Sequence, residues 1–382
     1  MTKRIKCEGC TGCSVCANVC PKKAIKMEKN SEGFLYPKID ESKCINCGVC
    51  GKKCPVINSK QNEAMNECYM GYALNSSIQY NSSSGGIFTI IANYVIDNGG
   101  IVIGAAFDDK NKLSHIPVTK KDDLHKLRGA KYLQSDMGNI LEYIKENIKE
   151  KKILFVGTPC QVAGVKSFVK EKKENLICID LICHGVPTPK LFEKYVKELE
   201  QKNGEKMSNY NFRDKTTGWE KYSNTIILGK KNKSQLHSKN DYMNLFLSDI
   251  ALRESCYNCN FKLGNKYSDI TLGDFWGIKK FYPEMYDKKG VSAIIFNTKN
   301  GQEIFDGIKN EIKYKKCNIE EIIEGNKSLI TSGKICKKRD DFFYDLDNLN
   351  VRKLAKKYGI KEENLFKRII KKVKKLFGVN KS

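Results

Sequence analysis

The sequence predicts a chain in three parts: a small cysteine-bound module, a mixed α/β domain with a partly parallel sheet, and a basic helical tail. Three observations carry this expectation. Nine of the 17 cysteines fall within residues 1–56, where little else could form a core. From about residue 67 to 310, apolar runs alternate with amphipathic helical stretches, the pattern of βαβ units in a layered domain. Beyond about 311 the chain reads as helical and increasingly cationic. The expected class is therefore α+β and α/β combined, with domains at 1–56, 67–310 and 311–382 and a polar connector around Asn58–Glu63.

The first module contains a repeat. Cys10, Cys13, Cys16, Cys20 and Pro21 return 34 positions later as Cys44, Cys47, Cys50, Cys54 and Pro55, with Val15 matched by Val49. The pattern C-x2-C-x2-C-x3-C-P is the signature of bacterial two-cluster ferredoxins. Three cysteines at steps of three wrap one iron–sulfur cube, and the fourth crosses to the other. Cys10, Cys13, Cys16 and Cys54 are accordingly expected on one 4Fe–4S cluster, and Cys44, Cys47, Cys50 and Cys20 on the second. Residues 24–28 and 34–39, joined by Asn30–Gly33, read as a hairpin shielding the pair. Structural zinc favours paired C-x2-C knuckles and not such triplets. Cys7 stands outside the frame and reads as a spare thiol.

In the α/β domain the expected buried strands are 101–107, 153–156, 176–182, 226–228 and 291–296. The expected helices cover 86–97, 137–149, 160–172 and 190–200. Thr158 and Pro159 fit the N-cap and N1 positions of a helix. This places Cys160 in the first turn, where the helix dipole favours a thiolate. If strands 153–156 and 176–182 are parallel, Cys160 and Cys183 emerge at the same carboxyl edge, where open α/β sheets bind ligands. Cys256 and Cys259 form a C-x2-C knuckle able to add two sulfurs. The four cysteines suit a third cluster; a redox dithiol, a zinc site and unrelated buried cysteines remain alternatives. Cys178 reads as core, and Cys68, Cys317 and Cys336 as ordinary cysteines.

Ser83, Ser84, Gly85 and Gly86 precede the helix at 87–97, and hydroxyls with free amides at a helix N-terminus suit a phosphate. Arg128, Lys131 and Tyr132 offer cationic and aromatic contacts from a second loop. Segments 212–219 and 269–277 also mix charge with aromatic surface. No G-x-G-x-x-G follows a strand, so a Rossmann NAD site is not expected. Of the four histidines, His184 adjoins Cys183 and is the candidate catalytic proton donor.

Five ordered segments make a more specific set: Ser82–Thr89, Gly157–Gln161, Cys183–Pro187, Ser255–Cys259 and Gly273–Gly277. Together they resemble the beta subunit of coenzyme F420 hydrogenases and dehydrogenases, here preceded by a two-cluster ferredoxin module, over about residues 1–300. The resemblance implies an FAD-containing iron–sulfur oxidoreductase, with Cys160, Cys183, Cys256 and Cys259 holding a third 4Fe–4S cluster. Electrons would pass between the clusters and FAD, with hydride exchange to coenzyme F420 or another two-electron acceptor. Ala130 departs from the Ser expected there. The alternative reading is a non-catalytic subunit relaying electrons to a partner enzyme, with a link to polysaccharide synthesis.

The formal charge of +24 overstates the loaded protein, since each oxidised cluster with its four thiolates carries about −2. Residues 351–382 hold twelve Lys or Arg against two Glu. Leu365, Phe366, Ile369, Ile370, Val373, Leu376 and Phe377 form an apolar stripe there. Such a helix packs on its own protein, on an anionic membrane surface or on an acidic partner. No recognition motif points to nucleic acid. The expected partners are a ferredoxin or oxidoreductase subunit, or a small two-electron substrate. With no spanning apolar run or leader-like start, a cytoplasmic location is expected.

Overall fold

The computed structural model describes residues 5, 8–59, 67–263 and 266–360. Cys7, most of the polar connector and the apolar stripe of the tail lie outside the described residues.

The repeat in the first module becomes a structural repeat. Helices Val15–Asn18 and Val49–Lys53 each follow a residue in the left-handed region, Ser14 at φ 63° and Gly48 at φ 71°. Each therefore turns its second residue, Cys16 or Cys50, back toward the preceding cysteines. Between them strands β1 (Ile25–Lys29) and β2 (Leu35–Ile39) pair antiparallel, Ile25 opposite Ile39.

The larger body is built on eight strands: β3 (Glu67–Ala73), β4 (Ile101–Phe107), β5 (Leu113–Val118), β6 (Ile153–Gly157), β7 (Leu176–Leu181), β11 (Ile270–Asp274), β12 (Ser292–Phe296) and β13 (Ile312–Lys316). Their order is β13-β3-β12-β11-β7-β6-β4-β5. The pairs β4–β6, β6–β7 and β7–β11 are parallel, and the flanking pairs antiparallel. Every residue of β6 and β12 is buried, as expected for strands covered on both faces. Helices Ile87–Asp97 and Lys299–Ile308 cover one face. Helices Ile140–Asn147 and Pro159–Phe168 cover the other, where Val15 of the first module joins the core. A side chain at Gly164 would put Cβ 3.1 Å from Cys13 Cβ and from Val15 Cγ2, so glycine lets the module approach this closely without displacing either.

Strands β8 (Met207–Asp214), β9 (Ser223–Leu228) and β10 (Lys231–Leu236) form a separate antiparallel sheet in the order β10-β9-β8. It packs through Phe212, Ile226 and Leu228 on the helix Pro189–Asn203 and on the helices Arg339–Asn348 and Val351–Tyr358. The expected run 226–228 thus belongs to this second sheet. The helical reading from 311 onward fails first at β13, which pairs with β3 at the sheet edge. Only Ile312 of β13 is buried. Its Lys-rich exposed face suits an unpaired edge and masks the strand signal.

Candidate functional site

Cys20, Cys44, Cys47 and Cys50 line one cavity, together with Pro21 and Gly48. Cys10, Cys13, Cys16 and Cys54 face one another closely enough that their charges interact. Burial pushes the Cys13 thiol up to about 12, the Val15 amide opposing and the Cys10 and Cys54 sulfurs reinforcing the rise. Burial likewise raises Cys16, followed by Cys13, Cys10 and Cys54. The structure thus brings together Cys20 with Cys44, Cys47 and Cys50, and Cys54 with Cys10, Cys13 and Cys16. The module is fixed to the body by Arg253, only 1% exposed. Its guanidinium donates to the carbonyls of Cys10 (2.7 Å) and Leu35 (2.9 Å) and to Gln134 Oε1 (3.0 Å). It also lies 4.1 Å from the Tyr36 ring centroid.

The other four cysteines converge as well. Strands β6 and β7 are parallel, Gly157 opposite Asp180, so Cys160 and Cys183 leave the sheet at one edge. Thr158 caps the helix Pro159–Phe168 in a capping box with Gln161. Cys256 and Cys259 arrive on a short turn, with Cys259 N–H donating to Ser332 Oγ at 3.0 Å. Gly185, at φ +150°, lets the chain pass Leu252 and Cys256; a Cβ there would lie 2.9 Å from Leu252 Cδ1. All four cysteines line one small cavity with His184, Lys262 and Lys266. Cys160 is raised well above the usual thiol value, by burial first and then by Cys259, Cys183 and Cys256, with Thr158 opposing. The helix dipole expected to favour a thiolate is outweighed, so these thiols ionise when a metal takes the proton's place. Among the described residues no three His, Cys, Asp or Glu side chains converge tightly enough to grip a single ion.

A larger cleft of about 280 Å³ opens beside this cavity, and Cys160, Thr158, Ile182, Val186 and Thr11 line both. Its floor is the carboxyl ends of β6, β7 and β11, the position at which open α/β sheets take ligands. Ser83, Ser84, Gly86, Lys131 and Tyr132 all line it. Gly85 lies behind them, packed so tightly that a Cβ would sit 2.4 Å from the Gly71 carbonyl oxygen. The loop is held by Ala130 N–H donating to Ser83 Oγ (2.6 Å) and by Lys215 Nζ donating to the Ser84 carbonyl (2.7 Å). Arg128 also lines the cleft and donates to Thr89 Oγ1 at 3.3 Å. Burial pushes the Lys131 ammonium down to about 7, while carbonyls of Leu127 and Arg128 accept from it at 2.9 and 3.0 Å. A helix N-terminus, the Arg128 guanidinium and Tyr132, stacked on Phe246, therefore converge on one wall, a donor set that fits a dinucleotide phosphate and an aromatic ring.

His184 sits in the cysteine cavity and not among the residues lining the larger cleft. Its Nε2 lies 2.6 Å from Asp249 Oδ1 and its Nδ1 3.4 Å from Ser328 Oγ. Burial works against the Asp249 carboxylate, but His184 and the Lys334 amide hold it below the usual range.

Three further cleft features come from the structure, and of these only His115 lies outside the segments singled out in the sequence. Arg213 pairs with Asp274 at 2.9 Å and lies 4.2 Å from the Tyr222 ring centroid. His115 bonds the Val156 carbonyl at 3.1 Å and Ser135 Oγ at 3.0 Å. Gln161 Nε2 donates to Ser135 Oγ at 2.9 Å, and its Oε1 meets Thr158 Oγ1, itself 3.2 Å from Cys160 Sγ. A buried polar chain thus runs from His115 to Cys160.

Three family descriptions match in order. "4Fe-4S dicluster domain" covers residues 9–58. "Coenzyme F420 hydrogenase/dehydrogenase, beta subunit N-term" covers 68–142. Residues 150–322 match the description for the C terminus of that same beta subunit. No curated protein sequence matches the chain. A chain from the F420-reducing NiFe hydrogenase complex of Methanosarcina barkeri is similar at 18% identity and a TM-score of 0.49, covering 78% of this chain and 96% of that one. The crossed cysteine groups, the cleft at the strand ends and the three family matches place the chain in the coenzyme F420 hydrogenase/dehydrogenase beta subunit family, an oxidoreductase family, with an N-terminal 4Fe–4S dicluster domain.

Proposed function

We propose that this chain is an iron–sulfur flavoenzyme that passes electrons between its dicluster module and FAD in the larger cleft, with hydride exchange to a two-electron substrate. The observation that carries the reading is the shared wall: Cys160 and Thr11 line both the four-cysteine cavity and the cleft. Thr11 is flanked by Cys10 and Cys13, so the dicluster ligands, the second cysteine set and the cleft are contiguous. Bound clusters would supply one-electron steps and bound flavin the conversion to two-electron chemistry.

The chain's own residues divide the remaining work. Cys10, Cys13, Cys16 and Cys54 hold one cluster and Cys20, Cys44, Cys47 and Cys50 the other. Cys160, Cys183, Cys256 and Cys259 hold a third. Ser83, Ser84, Gly85 and Gly86 present the start of the helix Ile87–Asp97 to the flavin diphosphate, with Arg128 neutralising it, Lys131 bracing the loop through the Leu127 and Arg128 carbonyls, and Tyr132 walling the ring. Asp249 orients His184 beside Cys183, and any proton His184 supplies enters on the cysteine side of the cleft. Residues 1–56 serve as the electron port and 67–310 as the flavin domain. Coenzyme F420, the substrate named by the family, is the first acceptor to try. No helix among the described residues is long and apolar enough to cross a membrane.

Anaerobic iron, sulfide and flavin analysis of reconstituted protein tests this. About twelve irons per chain, at four per cluster, with one FAD is expected. About eight irons without flavin would overturn the flavoenzyme and leave a two-cluster relay.

A further inference from the structure

The two ends of the dicluster module differ in exposure. The Cys10, Cys13, Cys16 and Cys54 group is pressed against the body by Arg253, Gly164 and Gln134. The other group opens outward: Cys47 is exposed, and Ile45, between two of its cysteines, is 57% exposed. An apolar side chain so placed beside a redox centre offers a partner the apolar middle of a contact.

Charge surrounds it. Glu28, Glu32 and Asp40 of the module are engaged by Lys38, Arg339 and Lys43. Lys22, Lys23, Lys26 and Lys52 are exposed and in no ion pair with a described carboxylate. Lys22 lines the cavity of Cys20, Cys44, Cys47 and Cys50 itself. Lys23 and Lys26 line the groove that starts beside Cys20, which also carries Glu146 and the carboxylates Asp136, Glu142 and Glu171, paired with Lys112, Lys145 and Lys149. Lys52 projects from the helix that carries Cys50.

We propose that this lysine-rimmed face is the docking site for an acidic one-electron carrier protein; the proposal rests on the cluster assignment given above. Unpaired lysines around an exposed apolar centre steer an oppositely charged partner and then let it close on the cluster side. Each encounter moves one electron between carrier and chain, one partner oxidised as the other is reduced. Two encounters, with protons from solvent, balance one two-electron reduction; the reverse direction balances in the same way.

The test is stopped-flow association of the reconstituted full chain with a purified acidic two-cluster ferredoxin as probe, across a range of ionic strength. Lys22→Ser/Lys23→Ser/Lys26→Ser/Lys52→Ser should slow association at low salt about tenfold or more and flatten its salt dependence. A control removing Lys230, Lys231, Lys233 and Lys239 from the β9–β10 side should leave the rate unchanged. Equal losses in both variants, or no loss in the first, would overturn the proposal. So would loss of anionic-vesicle binding by the first variant with its ferredoxin kinetics intact, since the face would then serve lipid. Iron and sulfide are measured on the same samples. Full content without salt-dependent association sinks the docking face alone, and deficient content sinks the cluster assignment along with it.

Discussion

Arg253 is the residue whose loss should separate the dicluster module from the flavin domain. Its guanidinium serves three acceptors, the Cys10 and Leu35 carbonyls and Gln134 Oε1, at 2.7–3.0 Å. It also lies over the Tyr36 ring. Arg253→Met keeps much of the volume but strands all three acceptors, each worth about 1–3 kcal/mol when buried without a donor. Relief of the buried charge and entry of water offset part of this, leaving roughly 4 kcal/mol against the docked state. That corresponds to about a thousandfold in the docking equilibrium. Amide hydrogen exchange by mass spectrometry reads it directly: protection should fall by about that factor in residues 10–16 and 34–36, while β6 and β12 stay unchanged. Arg253→Lys should fall between, since an ammonium cannot reproduce the planar fork. Protection within about tenfold of the parent in Arg253→Met would refute the reasoning and shift the anchoring to Arg339–Glu32 and Val15.

Three further outcomes are expected. Thr158→Val removes the hydroxyl 3.2 Å from Cys160 Sγ and should lower the midpoint potential of the third cluster in an EPR-monitored titration, with Thr158→Ser restoring it; an unchanged potential in Val would exclude the contact. Arg128→Met should weaken FAD binding about tenfold to a hundredfold in equilibrium dialysis, from loss of one charged hydrogen bond of about 1.5–3 kcal/mol. Burial pushes His115 from 6.5 down to about 4. The unfolded ring therefore takes up a proton first as pH falls. His115 should cost stability progressively from pH 6.5 to 4, by about 3 kcal/mol at most, and nothing above that window. Denaturant unfolding of parent and His115→Gln across that range should show the steeper decline in the parent.

What the sequence revealed tracks how local each signal is. The cysteine spacing announced the dicluster module because ligand geometry acts within a few residues, and Val15 and Val49 betrayed the duplication. Thr158–Pro159 marked a helix start for the same reason, and the apolar runs of β4, β6, β7 and β12 were legible because both faces are buried. Strand β13 escaped notice because a single buried residue, Ile312, anchors an otherwise lysine-rich edge. Arg253 and His115 were invisible for a different reason. Each acquires its role from residues 20 to 243 positions away, and nothing nearby distinguishes a buried arginine from a solvated one.

The same distinction bears on how the site assembles. Burial raises Cys13, with Cys10 and Cys54 reinforcing, and Cys16, with Cys13, Cys10 and Cys54 reinforcing; burial also raises Cys160, Cys183 and Cys256, with Cys259 reinforcing each. Folding without iron would therefore enclose neutral thiols, and loading must expel a proton for every sulfur that ionises. The outer group of Cys44, Cys47 and Cys50 is the more open, with Cys47 exposed, while the inner group lies under Arg253. Arg253 thus brings the dicluster module against the wall that the cysteine cavity shares with the cleft.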